Sequence, residues 1–332
     1  CLNMIEAPKF WYKNNLFSKV QIILFFPLSI LWILISLLKN VLTTRYKSRL
    51  KVICIGNLTI GGTGKTPFAI YIYKVLKKLG YKPVFLTRGY GGLIKGPIKV
   101  KDTHNFKDIG DEALLLNKIG PTIVSKDRSL GARLIEKHKD NYNVIIMDDG
   151  LQNYQLMQDI KFLLVDKNLK FGNEFCIPAG PLRERVNQGL SRIDAIVLTG
   201  SNNKDIDFNF VHNKTVFNSK VKTMKPPKIK NKKFLAFCGL ANSNKFYETL
   251  KENGFIVTST KSFPDHYEYK NEDIDKLILE ANKQNLKLIT TEKDYVKIKD
   301  DKNLINTLPI EMELEMKDKA ILKSFLQEKL NG

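Results

Sequence analysis

The chain has 332 residues, of which 43% are hydrophobic and 27% charged, the balance of a folded globular protein and not of a disordered or fibrous one. It is about twice a common single-domain length of roughly 150 residues, so two domains are expected, each long enough to bury a core. Lys and Arg number 54 against 34 Asp and Glu, a net charge of +20, which calls for an anionic partner: nucleic acid, an anionic membrane face or a phosphorylated substrate.

Residues 1–19 read as an N-terminal lead. Residues 22–38 (IILFFPLSILWILISLL) run for 17 residues without a charge, the lower edge of what crosses a hydrocarbon core of about 30 Å. They lie within a membrane-associated helix expected over 20–42. Lys9, Lys13 and Lys19 precede the run; Lys39, Arg45, Lys47, Arg49 and Lys51 follow it. No small-residue cleavage site follows, which argues against a signal peptide; a buried core helix is the competing reading. Pro27 and the aromatics Trp11, Tyr12 and Trp32 suit an embedded or interfacial helix. The heavier basic load on the C-terminal side puts the bulk of the protein in the cytoplasm, attached to the inner membrane. Spanning and interfacial placements both stay open.

Strand and helix patterns alternate over 43–219. Residues 51–55 (KVICI) read as a buried strand, 65–79 as a helix and 82–87 as a strand. A Gly-rich turn at 88–92 and a helix starting at 111 follow, then a strand at 122–124 and a helix at 128–137. Residues 143–147, 162–165 and 195–198 are apolar runs of strand length. Strands separated by helices of about 10–15 residues argue for a parallel sheet covered on both faces. Residues 220–233 (KVKTMKPPKIKNKK) hold seven lysines, no acid and a Pro-Pro pair, and read as a basic linker or extended ribbon. The alternation then restarts, with strands at 234–238, 256–259 and 287–290 and helices at 244–251 and 272–283. The expected fold class is α/β: a P-loop NTPase-like, mostly parallel sheet domain, a second and smaller α/β domain over 234–332, and an N-terminal hydrophobic membrane helix. Four cysteines, Cys1, Cys54, Cys176 and Cys238, lie far apart without a CxxC pair. Neither a disulfide framework nor a zinc site is expected, and a reducing compartment fits.

The sharpest motif is Gly61-Gly62-Thr63-Gly64-Lys65-Thr66, which follows the 51–55 strand and opens a helix. Glycines let backbone N–H groups turn inward around phosphate oxygens, and the helix N-terminus adds its positive dipole. Lys65 supplies a point charge to the β- and γ-phosphates, and the Thr66 hydroxyl a ligand for Mg2+. The full Walker A spacing wants Gly at position 59, where the chain has Thr59; the GxGK[ST] core and its strand–loop–helix setting survive the departure. The pattern reads as a nucleoside triphosphate site, with a purely structural glycine turn as the alternative. The 143–147 run ends in Asp148-Asp149-Gly150, two carboxylates at a strand's C-terminal edge, where open α/β sheets bind ligands. They suit Mg2+ or its water, against a solvated Asp-Gly turn. Asn57-Leu58-Thr59 and Asn213-Lys214-Thr215 match the glycosylation sequon, which has no meaning in a cytoplasmic P-loop enzyme.

Seven segments then occur in one order: GNLTIGGTGKTP (56–67), TRGYGG (87–92), GDEALLL (110–116), DDGLQNYQL (148–156), PAGPLRE (178–184), FPDHY (263–267) and TTEKDYVK (290–297). In this order they resemble the tetraacyldisaccharide 4′-kinase family of lipid A biosynthesis, over roughly residues 50–297. Asn153 stands where a His is typical of the family, and Arg185 where a Pro is common. The resemblance implies transfer of the ATP γ-phosphate to the 4′-hydroxyl of a tetraacylated glucosamine disaccharide 1-phosphate, with Mg2+, at the inner face of the cytoplasmic membrane. It implies that Asp111 and His266 form a pair activating the sugar hydroxyl, where a carboxylate holding the imidazole in one tautomer makes it a better base. Asp149 is a further catalytic candidate, and Thr66, Asp148, Asp149 and Glu184 are candidate metal ligands. Arg183 is a candidate phosphate clamp, and Tyr90 a candidate nucleotide contact. A surface ion pair and a packed loop aromatic are their alternatives. Asp127-Arg128 suits a helix cap as well as a substrate contact. Residues 290–294 would help close a cleft.

A lipid substrate and a membrane surface are thus the expected partners, without nucleic acid or an obligate protein partner. The rival from another class is a membrane-attached P-loop ATPase switch acting on a protein. A basic nucleic-acid binder would account for the charge and leave the apolar helix unexplained.

Overall fold

The computed structural model describes residues 8–138, 140–200, 214–223, 232–240, 243–298 and 302–332. Cys1 and residues 224–231 of the expected basic linker lie outside them.

A 3-10 turn (Lys9–Trp11) leads into α1 (Leu16–Leu42), whose start is capped by the Asn15 side chain accepting the Ser18 amide at 2.8 Å. The helix begins six residues before the uncharged run, because Asn15 supplies the N-cap there. Burial on α1 is inverted: of its 27 residues only Ser18 and Ser29 are buried, while Leu16, Phe17, Ile23, Leu24 and Leu42 are among its exposed apolar side chains. A helix packed into a soluble core shows the reverse.

The larger domain follows: β1 (Lys51–Gly56), α2 (Lys65–Lys78), β2 (Pro83–Thr87), β3 (Ile98–Lys99), α3 (Phe106–Ile109), α4 (Asp111–Asn117), β4 (Thr122–Val124), α5 (Arg128–Glu136), β5 (Val144–Asp148), β6 (Ile160–Asp166), α6 (Val186–Ser191), β7 (Ala195–Thr199) and β8 (Thr215–Thr223). A smaller domain comprises β9 (Lys233–Cys238), α7 (Ser243–Glu252), β10 (Ile256–Ser262), α8 (Asn271–Lys283), β11 (Lys287–Thr291), α9 (Glu292–Tyr295) and β12 (Ile305–Leu308). The chain ends with β13 (Ile310–Leu314) and α10 (Met316–Asn331).

Among the described residues one sheet has nine strands in the order β13-β8-β7-β6-β1-β5-β2-β4-β3, and the other four in the order β10-β9-β11-β12. The larger sheet is parallel except at its rims, where β3 and β13 run antiparallel to their neighbours. Its interior strands are buried from end to end, as in a sheet covered on both faces: β5 and β7 have no exposed position. One face packs Phe68, Ile72 and Leu76 of α2 with Leu322, Leu326 and Leu330 of α10. The other packs Ala132 and Ile135 of α5 with Leu190 of α6 and, at its margin, Ile33 of α1.

Two expected boundaries move. Residues 220–223, taken as the start of a linker, are the end of a paired strand: Lys220 lies opposite Glu313 and Lys222 opposite Glu311 on β13. Opposite charges facing each other across strands turn a lysine run into a ladder, and the acids that do so are about ninety residues away in sequence. The second correction concerns 234–332. Residues 310–332 return to the larger sheet, β13 pairing with β8 and α10 burying its i, i+4 leucines against it. The smaller domain is therefore an insertion between β8 and β13.

A buried charge pair holds the smaller domain together. Asp294 and Lys297 are almost completely buried and their charges lie 2.7 Å apart. Asp294 also accepts the Gly239 amide at 3.1 Å and the Thr291 hydroxyl at 2.7 Å. Removing one partner of such a pair leaves an uncompensated buried charge. Asp294→Ala is expected to destabilise this domain by about 3–5 kcal/mol, read as faster amide exchange along β9 and β11 with the larger sheet unchanged. Parent-like protection would show that the pair is dispensable.

Candidate active site

The phosphate-binding loop forms because β1 ends at Gly56 and α2 begins at Lys65, with Gly64 as its N-cap in the left-handed region at φ 85°. A side chain there would be strained, and its Cβ would stand 2.8 Å from the Met312 methyl of β13. Lys65 reaches back across the loop, donating to Asn57 Oδ1 at 3.2 Å and lying 3.7 Å from Asp149. Asn57, fully buried, also donates to the Gly61 carbonyl at 3.4 Å. Gly62 borders open space, and the Thr63 hydroxyl is buried without a hydrogen-bond partner.

The two carboxylates at the end of β5 are held differently. Asp148 Oδ2 accepts the Thr66 hydroxyl at 2.9 Å, and its Oδ1 is buried without a partner. Burial pushes its carboxyl up to about 7, reinforced by the charges of Glu112 and Asp149 against the opposing Thr66 bond and Lys65. Asp149 is left-handed at φ 49°, a conformation non-glycine residues adopt at a cost. Burial would raise its carboxyl too, but Lys65 and Arg183 outweigh that and hold it below the ordinary value. One carboxylate is thus kept anionic and its neighbour eased toward the protonated form, the separation expected of paired acids.

Arg183 meets Asp149 at 2.9 Å and Gln152 Oε1 at 3.2 Å. Its loop is braced by α1. Ser29 Oγ donates to the Cys176 carbonyl at 2.7 Å and accepts the Ala179 amide at 3.1 Å, and Trp32 Nε1 donates to the Arg183 carbonyl at 2.9 Å. Glu184 has its buried carboxylate taken up by both guanidinium nitrogens of Arg192 and by Gln152 Nε2 at 2.8 Å. It thereby fixes Gln152, whose amide also donates to the Asn57 carbonyl at 2.9 Å.

Asp111 and His266, 155 residues apart, meet with Nδ1 3.0 Å from Oδ2. Asp111 opens α4 after Gly110, whose φ is 84° and where a Cβ would lie 2.2 Å from the Tyr90 carbonyl. Only glycine lets the 88–92 turn and the start of α4 approach so closely. His266 sits between β10 and α8 at φ 56°, its amide donating to Asp265 Oδ1 at 3.0 Å. Tyr90, expected at the nucleotide, packs edge-on against the His266 ring at 5.3 Å between centroids. Burial would raise the Asp111 carboxyl, but the His266 hydrogen bond and the Lys293 ammonium outweigh it and leave it below the ordinary value. Glu112, next in the chain, lies near enough to Asp148 for its charge to raise that carboxyl. Asp127 caps α5 by accepting the Ser129 amide at 2.8 Å, and Arg128 is buried with its guanidinium donating to the Ser125 carbonyl at 2.7 Å.

The sequence profile of the family described as Tetraacyldisaccharide-1-P 4′-kinase matches residues 21–331. The chain belongs to this family. The tetraacyldisaccharide 4′-kinase of Rickettsia bellii is 38% identical over 309 residues, covering 92% of this chain and 94% of the relative. That of Parvibaculum lavamentivorans is 40% identical over 301 residues, 89% and 87% of the two chains. A crystal structure of LpxK from Aquifex aeolicus in complex with ATP superposes with a TM-score of 0.75 at 29% identity, covering 92% of this chain and 98% of that one. Three residues of the site escape sequence reading. Asn57 sits inside the GNLTIGGTGKTP segment and a sequon without a role of its own, Gln152 inside the DDGLQ segment, and Lys293 inside TTEKD. Arg192, the partner of Glu184, follows no motif.

Proposed function

We propose that this chain transfers the γ-phosphate of ATP to the 4′-hydroxyl of a tetraacylated glucosamine disaccharide 1-phosphate, giving lipid IVA. The observation that carries the reading is the meeting of Asp111 and His266 from two domains beside a phosphate-binding loop. Phosphoryl transfer needs positioning, charge neutralisation and an acceptor for the nucleophile's proton. The loop amides and Lys65 hold the β- and γ-phosphates, and Arg183 clamps the transferring group. Thr66, Asp148 and Asp149 would hold Mg2+, since the unpartnered buried Oδ1 of Asp148 is a donor atom waiting for a cation. When bound, the ion neutralises phosphate charge. The 4′-hydroxyl gives its proton to the Asp111–His266 pair, its oxygen bonds to the γ-phosphorus, and the bond to the ADP oxygen breaks. The smaller domain acts as a lid, latched at its other end by Lys245 of α7 on Asp166 of β6 at 3.1 Å.

The exposed apolar face of α1 supports a place at the membrane, where an acylated substrate resides. Ser29 and Trp32, at the middle of the helix, are tied to backbone carbonyls of the 176–183 loop of the larger domain, which carries Arg183. A perpendicular span would carry that loop into hydrocarbon, so α1 lies in the interface, on the cytoplasmic side. A cavity of about 270 Å³ lined by Leu28, Leu31, Trp32, Ile35, Ile177 and Pro178 suits an acyl chain.

The test is transfer of labelled γ-phosphate from Mg·ATP to the tetraacyl disaccharide 1-phosphate in detergent micelles. Labelled lipid, with ATP turnover nearly idle when lipid is omitted, is the expected result. Phosphate release that ignores the lipid would replace the kinase with an ATPase.

A further inference from the structure

The second nitrogen of His266 is not free. Lys293, at the start of α9, places its Nζ 3.1 Å from His266 Nε2. We propose that Lys293 is a positioning residue that fixes the proton arrangement of His266, donating to Nε2 and so confining the ring proton to Nδ1, which donates to Asp111. Its catalytic consequence rests on the kinase reading above; the proton arrangement itself does not.

An ammonium has three donors and no acceptor, so the ring nitrogen facing it must accept. A neutral imidazole that accepts at Nε2 carries its hydrogen on Nδ1, and Nδ1 faces Asp111 Oδ2 at 3.0 Å. The donors therefore run one way, from Lys293 to His266 to Asp111. Lys293 is held charged for this task. Burial disfavours its ammonium, but Asp111, Glu112 and Asp265 surround it at 3.9, 3.9 and 3.7 Å and raise its affinity for the proton above the ordinary value. Its backbone is fixed as well. Thr291 caps α9 by accepting the Asp294 amide at 3.0 Å, and Asp294 is anchored on Gly239 and Lys297. The TTEKD segment thus presents Lys293 outward from a rigid, buried base. With Nε2 occupied, the proton acceptor offered to the sugar hydroxyl is the Asp111 carboxylate, steadied by His266. Nε2 becomes a base only if Lys293 withdraws.

The charged and titratable groups at this ring are Asp111 of α4, Tyr90 of the 88–92 turn, Asp265 of its own loop and Lys293 of α9, with Glu112 and Asp294 acting on Lys293 behind it. Removing the ammonium at Nε2 leaves the ring proton unconfined and takes away one of the charges that hold the Asp111 carboxyl down, so that carboxyl takes up its proton at higher pH.

The experiment uses the full chain labelled with 15N-histidine in detergent micelles, with His266 assigned by its loss in His266→Gln. Long-range 1H–15N spectra of the parent are expected to show the Nδ1–H tautomer, the less common one in free histidine. In Lys293→Met the pattern shifts to Nε2–H or imidazolium. The same variant loses about tenfold or more in kcat, with the KM for ATP within about twofold, and the acid limb of its kcat–pH profile moves to higher pH. Lys293→Arg, which keeps a cationic donor, retains the parent tautomer. An Nε2–H ring in the parent overturns the proposal without any variant. So does a Lys293→Met protein with parent-like spectrum and unmoved acid limb, whatever its rate. Full activity in His266→Gln would instead remove the catalytic role of the pair and leave the tautomer result standing.

Discussion

Lys65→Ala is expected to lower phosphate transfer by about 10²–10³-fold, the usual loss when a preorganised charged donor is taken from a developing anion. The side chain is already aimed: Asn57 and Asp149 hold Nζ over the loop, and only 12% of the side chain is exposed. No reorganisation is needed when phosphate arrives. The substitution also deprives Asp149 of the cation that contributes most to keeping it anionic, so two neighbouring carboxylates compete for a proton. Transfer should fall in kcat as well as in ATP affinity, with thermal unfolding little changed, because the Lys65 ammonium reaches over the loop to Asn57 and Asp149 and is not part of the apolar core. Lys65→Arg should restore little, since the Asn57 oxygen and Asp149 are arranged around a compact ammonium and not a planar fork. Transfer at parent rate in Lys65→Ala would remove the loop from the reaction.

The second large effect is at Asp111. Asp111→Asn keeps the shape and deletes the anion that accepts the His266 ring hydrogen, and kcat should fall by about 10²–10⁴-fold. ATP binding should hold, since the described contacts of Asp111 are with its own helix start, His266 and Lys293. The informative protein is the double variant Asp111→Asn/His266→Ala. Two groups that act as a unit lose little more together than either does alone. Multiplied losses would mean that Asp111 and His266 contribute separately.

The sequence carries the elements that local pattern encodes. The 51–55 strand, the glycine loop and the α2 helix are legible because turn chemistry, strand run and helix start sit within thirty residues. Asp148-Asp149 at a strand end is legible for the same reason. What is lost depends on partners far along the chain. The lysines of 220–223 look like a linker until Glu311 and Glu313 lie opposite them. Glu184 shows nothing in the sequence of the Arg192 it pairs with. Tyr90 carries no sign in the sequence of the His266 ring it packs against. Lys293 is the clearest case, since its meaning lies in the nitrogen it touches, 27 residues away and itself held in a left-handed turn.

The insertion of the lid between β8 and β13 has a mechanical side. The two strands are neighbours, and Thr223, the last residue of one, stands opposite Ile310, the first of the other. The lid thus leaves and rejoins the molecule at adjacent points, like a door hung on two pins set close together on one post. Such a mounting resists sliding and leaves swinging as the soft motion. His266 and Lys293 ride the same leaf, so a swing would move them together relative to Asp111 on α4. The post also touches the site: Met312 of β13 rests on the turn at Gly64, so the strand on which the lid is hung borders the glycine loop.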